Sequence, residues 1–259
     1  MPDSHAPSTQ RDGAGRPGST PDPRARLADL GPFFAVHRHV PPAGPAAPWR
    51  PLDELARPGV ALDARVQQVR AALAARGGRP VERIDRRVAV SVAHLGLVAR
   101  LIAPAIGAAT LGESMPVDIA RLWWQDELGG PYPLSVADPP ADPPVDPPAD
   151  PPADPLTGSA VEAITRACLA GYSVSPRVLW GNVASAAASA AGLIGAIRPD
   201  LAGAARRAAD EVLADQRVES GALRAGPGFR RRSCCLIYRL AGSTAAVCGD
   251  CVIGTGRRV

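Results

Sequence analysis

Four of the five cysteines in this 259-residue chain lie within its last 26 residues. They form two pairs, Cys234-Cys235 and Cys248-x-x-Cys251, separated by twelve residues. A metal centre that uses all four thiolates requires the chain to fold back on itself within this span. The intervening segment LIYRLAGSTAAV has strand-like ends, and a two-residue turn at Ala241-Gly242 would place Cys235 opposite Cys248. The spacing therefore predicts a small C-terminal β-hairpin or loop that carries the centre.

Adjacent cysteines constrain both the local backbone and the kind of centre. Neighbouring side chains on a strand point to opposite faces, so the backbone must bulge or leave strand geometry at Cys234-Cys235. Zinc typically binds between two CxxC knuckles, and a vicinal pair fits that arrangement badly. A [2Fe-2S] cluster takes two sulfurs on each iron and is wider. A redox disulfide needs only the CxxC. The residues favour iron–sulfur, with zinc, redox thiols and inert cysteines as alternatives.

The composition favours a helical protein over a β-sandwich. The chain is 46% hydrophobic, with much alanine, but only 4% aromatic. Its formal net charge is +4, and its 29 basic residues, all arginine, are scattered among 25 acids, which does not indicate a nucleic-acid partner.

Two further observations predict a soluble, cytoplasmic protein without a membrane span. The N-terminus lacks the apolar run of a signal peptide. The most apolar stretch, residues 88–112, is interrupted by His94, Arg100 and Pro104, which favours buried helices over a membrane span.

A proline-rich repeat divides two segments that both have a helical pattern. Residues 137–155 read ADPPADPPVDPPADPPADP, in which proline removes backbone donors and predicts an exposed polyproline-II insertion. Apolar periodicity predicts helices at 60–76, 82–103, 105–112 and 116–128 before the repeat, and at 158–170, 176–197 and 199–216 after it. We therefore predict one mostly α domain with an inserted loop; a boundary between two domains at the repeat is the alternative.

The predicted organisation has five parts. They are a disordered Pro/Arg-rich tail at 1–50, a helical part at 51–136, the repeat insertion at 137–156, a helical continuation at 157–225 and the cysteine-bearing segment at 226–259.

The motif CC…CGDC resembles the C-terminal signature of the FhuF-like ferric siderophore reductases, which carry CC-x10-CxxC as [2Fe-2S] ligands. The stretches SVAHLGLVARLIAPA, LWW with the later PYPLS, and VLWGNVASA look like body motifs of these proteins, so the resemblance covers about 85–136 and 157–254. It implies that Cys234, Cys235, Cys248 and Cys251 are the cluster ligands. Cys168 has no counterpart in the motif.

The chain departs from the family in having twelve residues between the cysteine pairs, where the family usually has ten. One added residue per strand would keep the same cysteines facing each other. An asymmetric insertion would shift the register and turn a ligand away.

The resemblance implies an oxidoreductase that reduces a ferric siderophore by one electron and releases Fe(II). Oxygen donors hold Fe(III) far more tightly than Fe(II), so reduction weakens the chelate. The sequence contains no convincing catalytic triad, Walker loop or GxGxxG motif, and no residue is assigned to acid–base or nucleophilic catalysis. An external electron donor protein or reductant must therefore supply the electron.

The three arginines at 230–232 precede the ligands and would raise the cluster's potential or dock an acidic donor. Two other functions stay open at this point: an iron–sulfur accessory or electron-carrier protein without chelate reductase activity, and a zinc-stabilised helical binding module.

Overall fold

Helices dominate the computed structural model, which describes residues 23–40, 44–115, 117–138, 155–241 and 249–252. The α-helices in these ranges are α1 (Pro23–Ala28), α2 (Val60–Arg76), α3 (Arg86–Thr110), α4 (Ala160–Gly171), α5 (Pro176–Ile197), α6 (Ala202–Leu213) and α7 (Tyr238–Ala241). The strands are β1 (His37–His39), β2 (Arg50–Pro51), β3 (Leu122–Trp124) and β4 (Leu134–Ala137). The mostly α fold is confirmed.

Helices α3 and α5 form the centre of the protein, and α2, α4 and α6 pack around them. Apolar side chains such as Leu97 and Leu101 of α3 and Val183 of α5 are fully buried in the hydrophobic core. Many of the buried positions on α5 are alanine, which allows the neighbouring backbones to approach closely. The predicted helices at 60–76, 158–170 and 176–197 are confirmed, and α6 accounts for most of the helix predicted at 199–216.

Two of the described helices, α3 and α5, are long and apolar enough to cross a membrane by length and composition alone. In both cases most of the apolar window is buried inside the protein, 72% for α3 and 67% for α5. Core helices of globular proteins have the same properties, so these two helices are weak evidence for a membrane span.

The predicted break at Pro104 is wrong, because α3 continues through this residue to Thr110 and absorbs the separate piece predicted at 105–112. An internal proline costs a helix about 3 kcal/mol. The burial of Ile106 beyond it offsets that cost. A side chain at Gly107 would come within 2.9 Å of Leu27 and 3.0 Å of Phe34, so this turn of α3 is where the N-terminal segment packs.

The helix predicted at 116–128 is also wrong. Residues 119–121 form a 3-10 turn, and the chain then enters β3, where Leu122 and Trp124 are buried and alternate with Trp123. The period of two and the tryptophans favour a strand. Strand β3 pairs antiparallel with β4 and with β2, while β1 pairs parallel with β4, giving the sheet order β1-β4-β3-β2.

The N-terminal segment contradicts part of the predicted disordered tail. Residues 23–40 contain α1 and β1, and Leu27, Leu30 and Phe34 are buried in the main core. Phe33, the neighbour of Phe34, is 39% exposed. Residues 1–22 lie outside the described residues.

The proline-rich repeat lies almost wholly outside the described residues, which stop at 138 and resume at 155. Leu134 and Val136 before it and Leu156 and Ala160 after it belong to one hydrophobic core. Both sides of the repeat therefore belong to a single domain, as predicted, while the exact domain boundaries stay a prediction.

Candidate metal centre

The C-terminal segment folds back so that residues 230–231 lie against residues 249–250. The amide of Arg231 donates to the carbonyl of Asp250 at 3.2 Å, and Arg230 Nη1 donates to the carbonyl of Gly249 at 2.8 Å. These contacts place the vicinal cysteines and Cys251 in the same part of the protein. Cys248 lies outside the described residues.

The predicted β-hairpin is wrong in its first half. Leu236 has a left-handed φ of 68°, and the chain then enters α7, with Arg239 and Leu240 donating to the carbonyls of Leu236 and Ile237 at 3.0 Å. Ala241, predicted to be in the turn, ends this helix. The pairing predicted between Cys235 and Cys248 stays a prediction. The left-handed residue takes the backbone out of strand geometry directly after the vicinal pair, as two ligands on adjacent residues require.

The three cysteine thiols that the structure describes in this segment are largely withdrawn from water. Cys235 and Cys251 are each 2% exposed, and Cys234 is partly exposed. Burial raises the pKa of Cys234; the nearby Cys235 and Cys251 act in the same direction, while Arg231 and the hydrogen bond from the Leu236 amide oppose them. That amide lies 3.3 Å from Cys234 Sγ.

The three arginines that look alike in the sequence occupy different environments. Arg230 and Arg232 are exposed, whereas the side chain of Arg231 is only 1% exposed. Arg231 Nη1 donates to Asn182 Oδ1 at 3.1 Å, and its Nε lies 3.8 Å from the Asp250 carboxylate. Ser185 in turn donates its hydroxyl to Asp250. A buried positive charge thus lies beside the cysteines.

The match to known proteins falls on this same segment. Residues 231–252 match the family model described as the FhuF 2Fe-2S C-terminal domain. The matched segment, hereafter the FhuF-type domain, is similar to a [2Fe-2S]-binding domain. A search of the curated proteins and a search of the solved structures each found no match.

The FhuF-type match confirms the predicted cofactor, a [2Fe-2S] cluster. The matched residues run from the buried Arg231 past all four clustered cysteines. The wider resemblance at 85–136 and 157–230 stays a prediction.

The described residues of the FhuF-type domain fit an iron–sulfur cluster in chemistry. Thiolates are the ligands of such clusters, and the metal makes up the free energy needed to deprotonate buried thiols. Among the described residues, no group of three or more His, Cys, Asp or Glu side chains could by itself hold a metal ion. Because Cys248 lies outside the described residues, the assignment of Cys234, Cys235, Cys248 and Cys251 as ligands stays a prediction.

A network of buried polar side chains connects the FhuF-type domain to the helical core. Asn182 Nδ2 donates to the carbonyl of Ser91 at 2.9 Å and lies 3.5 Å from His94 Nδ1. His94 Nε2 lies 3.0 Å from Thr165 Oγ1, whose hydroxyl donates to the carbonyl of Val161 at 2.6 Å. Complete burial lowers the pKa of His94 to about 3, so the ring is neutral.

These contacts determine which atoms of the buried polar network donate a hydrogen and which accept one. Because Thr165 gives its proton to Val161, His94 must donate from Nε2 and accept at Nδ1. The Asn182 amide then donates towards His94, and its oxygen faces Arg231. Sequence reasoning missed this network, although His94 was visible as a polar interruption of an apolar helix.

Helix α5 provides the surface on which the FhuF-type domain rests. A Cβ at Gly181 would overlap Ser233 Oγ, so only glycine lets the residue before Cys234 lie against the helix. Gly181, Asn182 and Ser185 fall within one helical turn and touch Ser233, Arg231 and Asp250 respectively.

A cavity of about 550 Å³ opens beside the domain. Its lining includes Ser185 and Ser189 of α5, Phe229, Arg231 and Asp250. It therefore borders the residue directly before Cys251.

Cys168 is a core residue of α4. It is buried, and desolvation raises its pKa to about 12, so it is an inert thiol at neutral pH. Its place in the core agrees with its exclusion from the predicted ligand set.

Proposed function

We propose that this chain reduces ferric siderophores by one electron and releases Fe(II). The observation that carries the proposal is the FhuF-type match across residues 231–252, the segment that folds back beside a buried arginine. The alternative, a protein that carries the cluster without reducing chelates, shares this observation and is separated by the experiment below.

In this proposal Cys234, Cys235, Cys248 and Cys251 hold the [2Fe-2S] cluster. When bound, such a cluster supplies one-electron transfer. The chain's own part is to hold the thiolates on a segment fixed to α5, to keep water from Cys235 and Cys251, and to leave Cys234 partly exposed. The partly exposed thiol favours electron exchange with molecules at the surface.

The overall reaction converts a Fe(III) chelate and one electron into Fe(II) and the free siderophore. The oxygen donors of a siderophore hold Fe(II) far more weakly than Fe(III), so the metal leaves after reduction. The electron comes from an external donor protein or small reductant. The cavity bordered by Ser185, Phe229 and Asp250 gives a chelate room to approach the ligands.

We place the reaction in the cytoplasm, where cysteine thiolates stay reduced and available to metals. The partners we propose are the ferric siderophore and the electron donor.

The test is a single turnover with protein purified without oxygen. The protein is analysed for iron and acid-labile sulfide, reduced with dithionite, desalted and mixed with a ferric hydroxamate siderophore and a ferrous trap. We expect the visible spectrum to return to that of the oxidised protein as one Fe(II) per cluster reaches the trap. A reduced protein that leaves the chelate unchanged would support the electron-carrier alternative.

Matched cysteine variants test the ligands. Cys251→Ser should lose the cluster spectrum, whereas Cys168→Ser should keep it because Cys168 lies in α4. Equal spectra in the two variants would contradict the ligand assignment.

A further inference from the structure

Two side chains of opposite charge lie close to the proposed ligands in the sequence. Arg231 precedes Cys234 by three residues, and Asp250 directly precedes Cys251. The Arg231 side chain is 1% exposed and the Asp250 side chain 18% exposed, with 3.8 Å between Nε and the carboxylate. Because both are largely removed from water, solvent and salt screen their charges weakly.

Arg231 acts on the cysteine site from inside the protein, unlike its neighbours. Its backbone amide donates to the carbonyl of Asp250 at 3.2 Å, which places Arg231 beside the residue directly before Cys251. Arg230 and Arg232 are exposed, and their charges are screened by solvent. The sequence RRR thus contains one internal charge between two surface charges.

Asn182 holds Arg231 in place and is itself held by the buried polar network of the helical core. Its amide nitrogen is committed to Ser91 and His94, so its oxygen is the atom that faces Arg231. An amide oriented from one side in this way fixes the guanidinium on the other side more firmly than a mobile surface partner would.

We propose that Arg231, positioned by Asn182, raises the reduction potential of the cluster and that Asp250 lowers it. A centre held by four thiolates is anionic and gains negative charge with each added electron. A buried cation therefore favours the added electron, and a nearby carboxylate disfavours it. Together the two charges set a potential at which the site accepts an electron from a donor and still passes it on.

The experiment is an anaerobic potentiometric titration, followed by visible absorbance with mediator dyes at one pH. Arg231→Gln should lower the reduction equilibrium constant at least tenfold, a fall of 59 mV or more for one electron. Asp250→Asn should raise the potential. Arg231→Lys keeps the charge and should stay within about twofold of the wild-type constant. Asn182→Ala should lower the potential by less than Arg231→Gln does.

Arg232→Gln is the matched control, and at high ionic strength it should change the constant by less than about twofold. The proposal is overturned if Arg231→Gln shifts the potential no more than this control, or if Arg231→Lys shifts it as much as Arg231→Gln does. An unchanged potential in Asn182→Ala removes that residue from the proposal.

Outcomes in which a protein lacks the cluster or lacks activity also test the proposal. If Arg231→Gln does not bind a cluster, Arg231→Lys and Asp250→Asn carry the test, and an Asp250→Asn potential equal to or below the wild-type value overturns it. A wild-type protein that binds no cluster overturns both this proposal and the ligand assignment. A loaded protein that reduces no chelate overturns only the proposed function.

Discussion

Arg239 and Asp85 connect the short helix after the vicinal cysteines to the start of the central helix α3. Arg239 Nη1 lies 2.9 Å from Asp85 Oδ2, and the other oxygen of the same carboxylate accepts from the Arg87 amide at 2.9 Å as the N-cap of α3. One carboxylate therefore begins a core helix and also holds the cysteine-bearing segment to it.

These two roles of Asp85 can be separated by substitution. Asp85→Ala removes the cap and should lower the free energy of unfolding by about 1 kcal/mol. Asp85→Asn keeps a capping oxygen and loses only the ion pair, so its urea midpoint should stay close to wild type, as should that of Arg239→Gln. Urea unfolding of the cluster-free protein measures all three. If Asp85→Ala and Asp85→Asn lost the same free energy of unfolding, the ion pair rather than the cap would be the source of the stability.

Gly181→Ala should impair cluster binding without destabilising the helical core. The added methyl would overlap Ser233 Oγ and push the segment before Cys234 off α5. The same change raises helix propensity by about 1 kcal/mol, so the cluster-free protein should keep its helical circular dichroism. Cluster absorbance per chain after reconstitution is the measurement.

Two variants make the Gly181 test specific. Gly192→Ala lies on the same helix with no atom within 4 Å of the new methyl, and it should bind the cluster normally. Combining Gly181→Ala with Ser233→Gly removes the overlapping hydroxyl and should restore binding. If the double variant stays empty, the contact between Gly181 and Ser233 does not explain the loss.

Local patterns in the sequence were sufficient to predict the helices whose burial follows one face. Leu62, Val66 and Val69 of α2 recur at helical spacing and are all buried. Pattern reasoning failed where tertiary contacts outweighed it. Gly107 lies one turn beyond Pro104 and packs against Leu27 and Phe34, contacts that no local window contains.

In the candidate site, too, local sequence patterns were predictive and features that depend on tertiary contacts were missed. The spacing of the cysteines favours an iron–sulfur cluster over zinc because ligand spacing is local, and the resemblance of the motif implies the [2Fe-2S] form. Neither can distinguish Arg231 from Arg230 and Arg232, because the burial of Arg231 depends on Asn182, 49 residues away in the sequence. Likewise, the residues after Cys235 had strand-like composition, but α7 forms there and Arg239 contacts Asp85, 154 residues away.

The buried His94 should make the stability of the cluster-free protein depend on pH. Its pKa is about 3 in the folded state, against an ordinary value of 6.5 that applies when unfolded. Between these values the unfolded chain binds a proton that the folded chain does not, so stability is retained above about pH 6.5 and falls as the pH falls towards 3. From pH 7 to pH 5 the loss from this residue is about 2 kcal/mol.

His94→Gln tests this dependence, since glutamine can still donate to Thr165 but does not titrate. Urea unfolding of both proteins at pH 7 and pH 5 should show a smaller loss in the variant. His37→Gln makes the same change at an exposed histidine and is the matched control. Identical pH dependence in wild type and His94→Gln would mean that the ring is not held neutral.

The exposed arginines should govern how fast an acidic electron donor reaches the domain, rather than the potential of its cluster. Arg230 and Arg232 are exposed beside the cysteine segment, and the guanidinium of Arg177 lies 3.4 Å from the Arg232 carbonyl. Surface charges act mainly on association rates and lose their effect as salt rises, because the screening length is about 10 Å at 0.1 M ionic strength. With a reduced acidic ferredoxin as the donor, Arg230→Gln and Arg232→Gln should slow bimolecular reduction several-fold at low salt, and rates should converge with wild type at high salt. Arg206→Gln, an exposed arginine on α6, is the control for total charge. If it slows reduction as much as the other two, net charge rather than this surface attracts the donor.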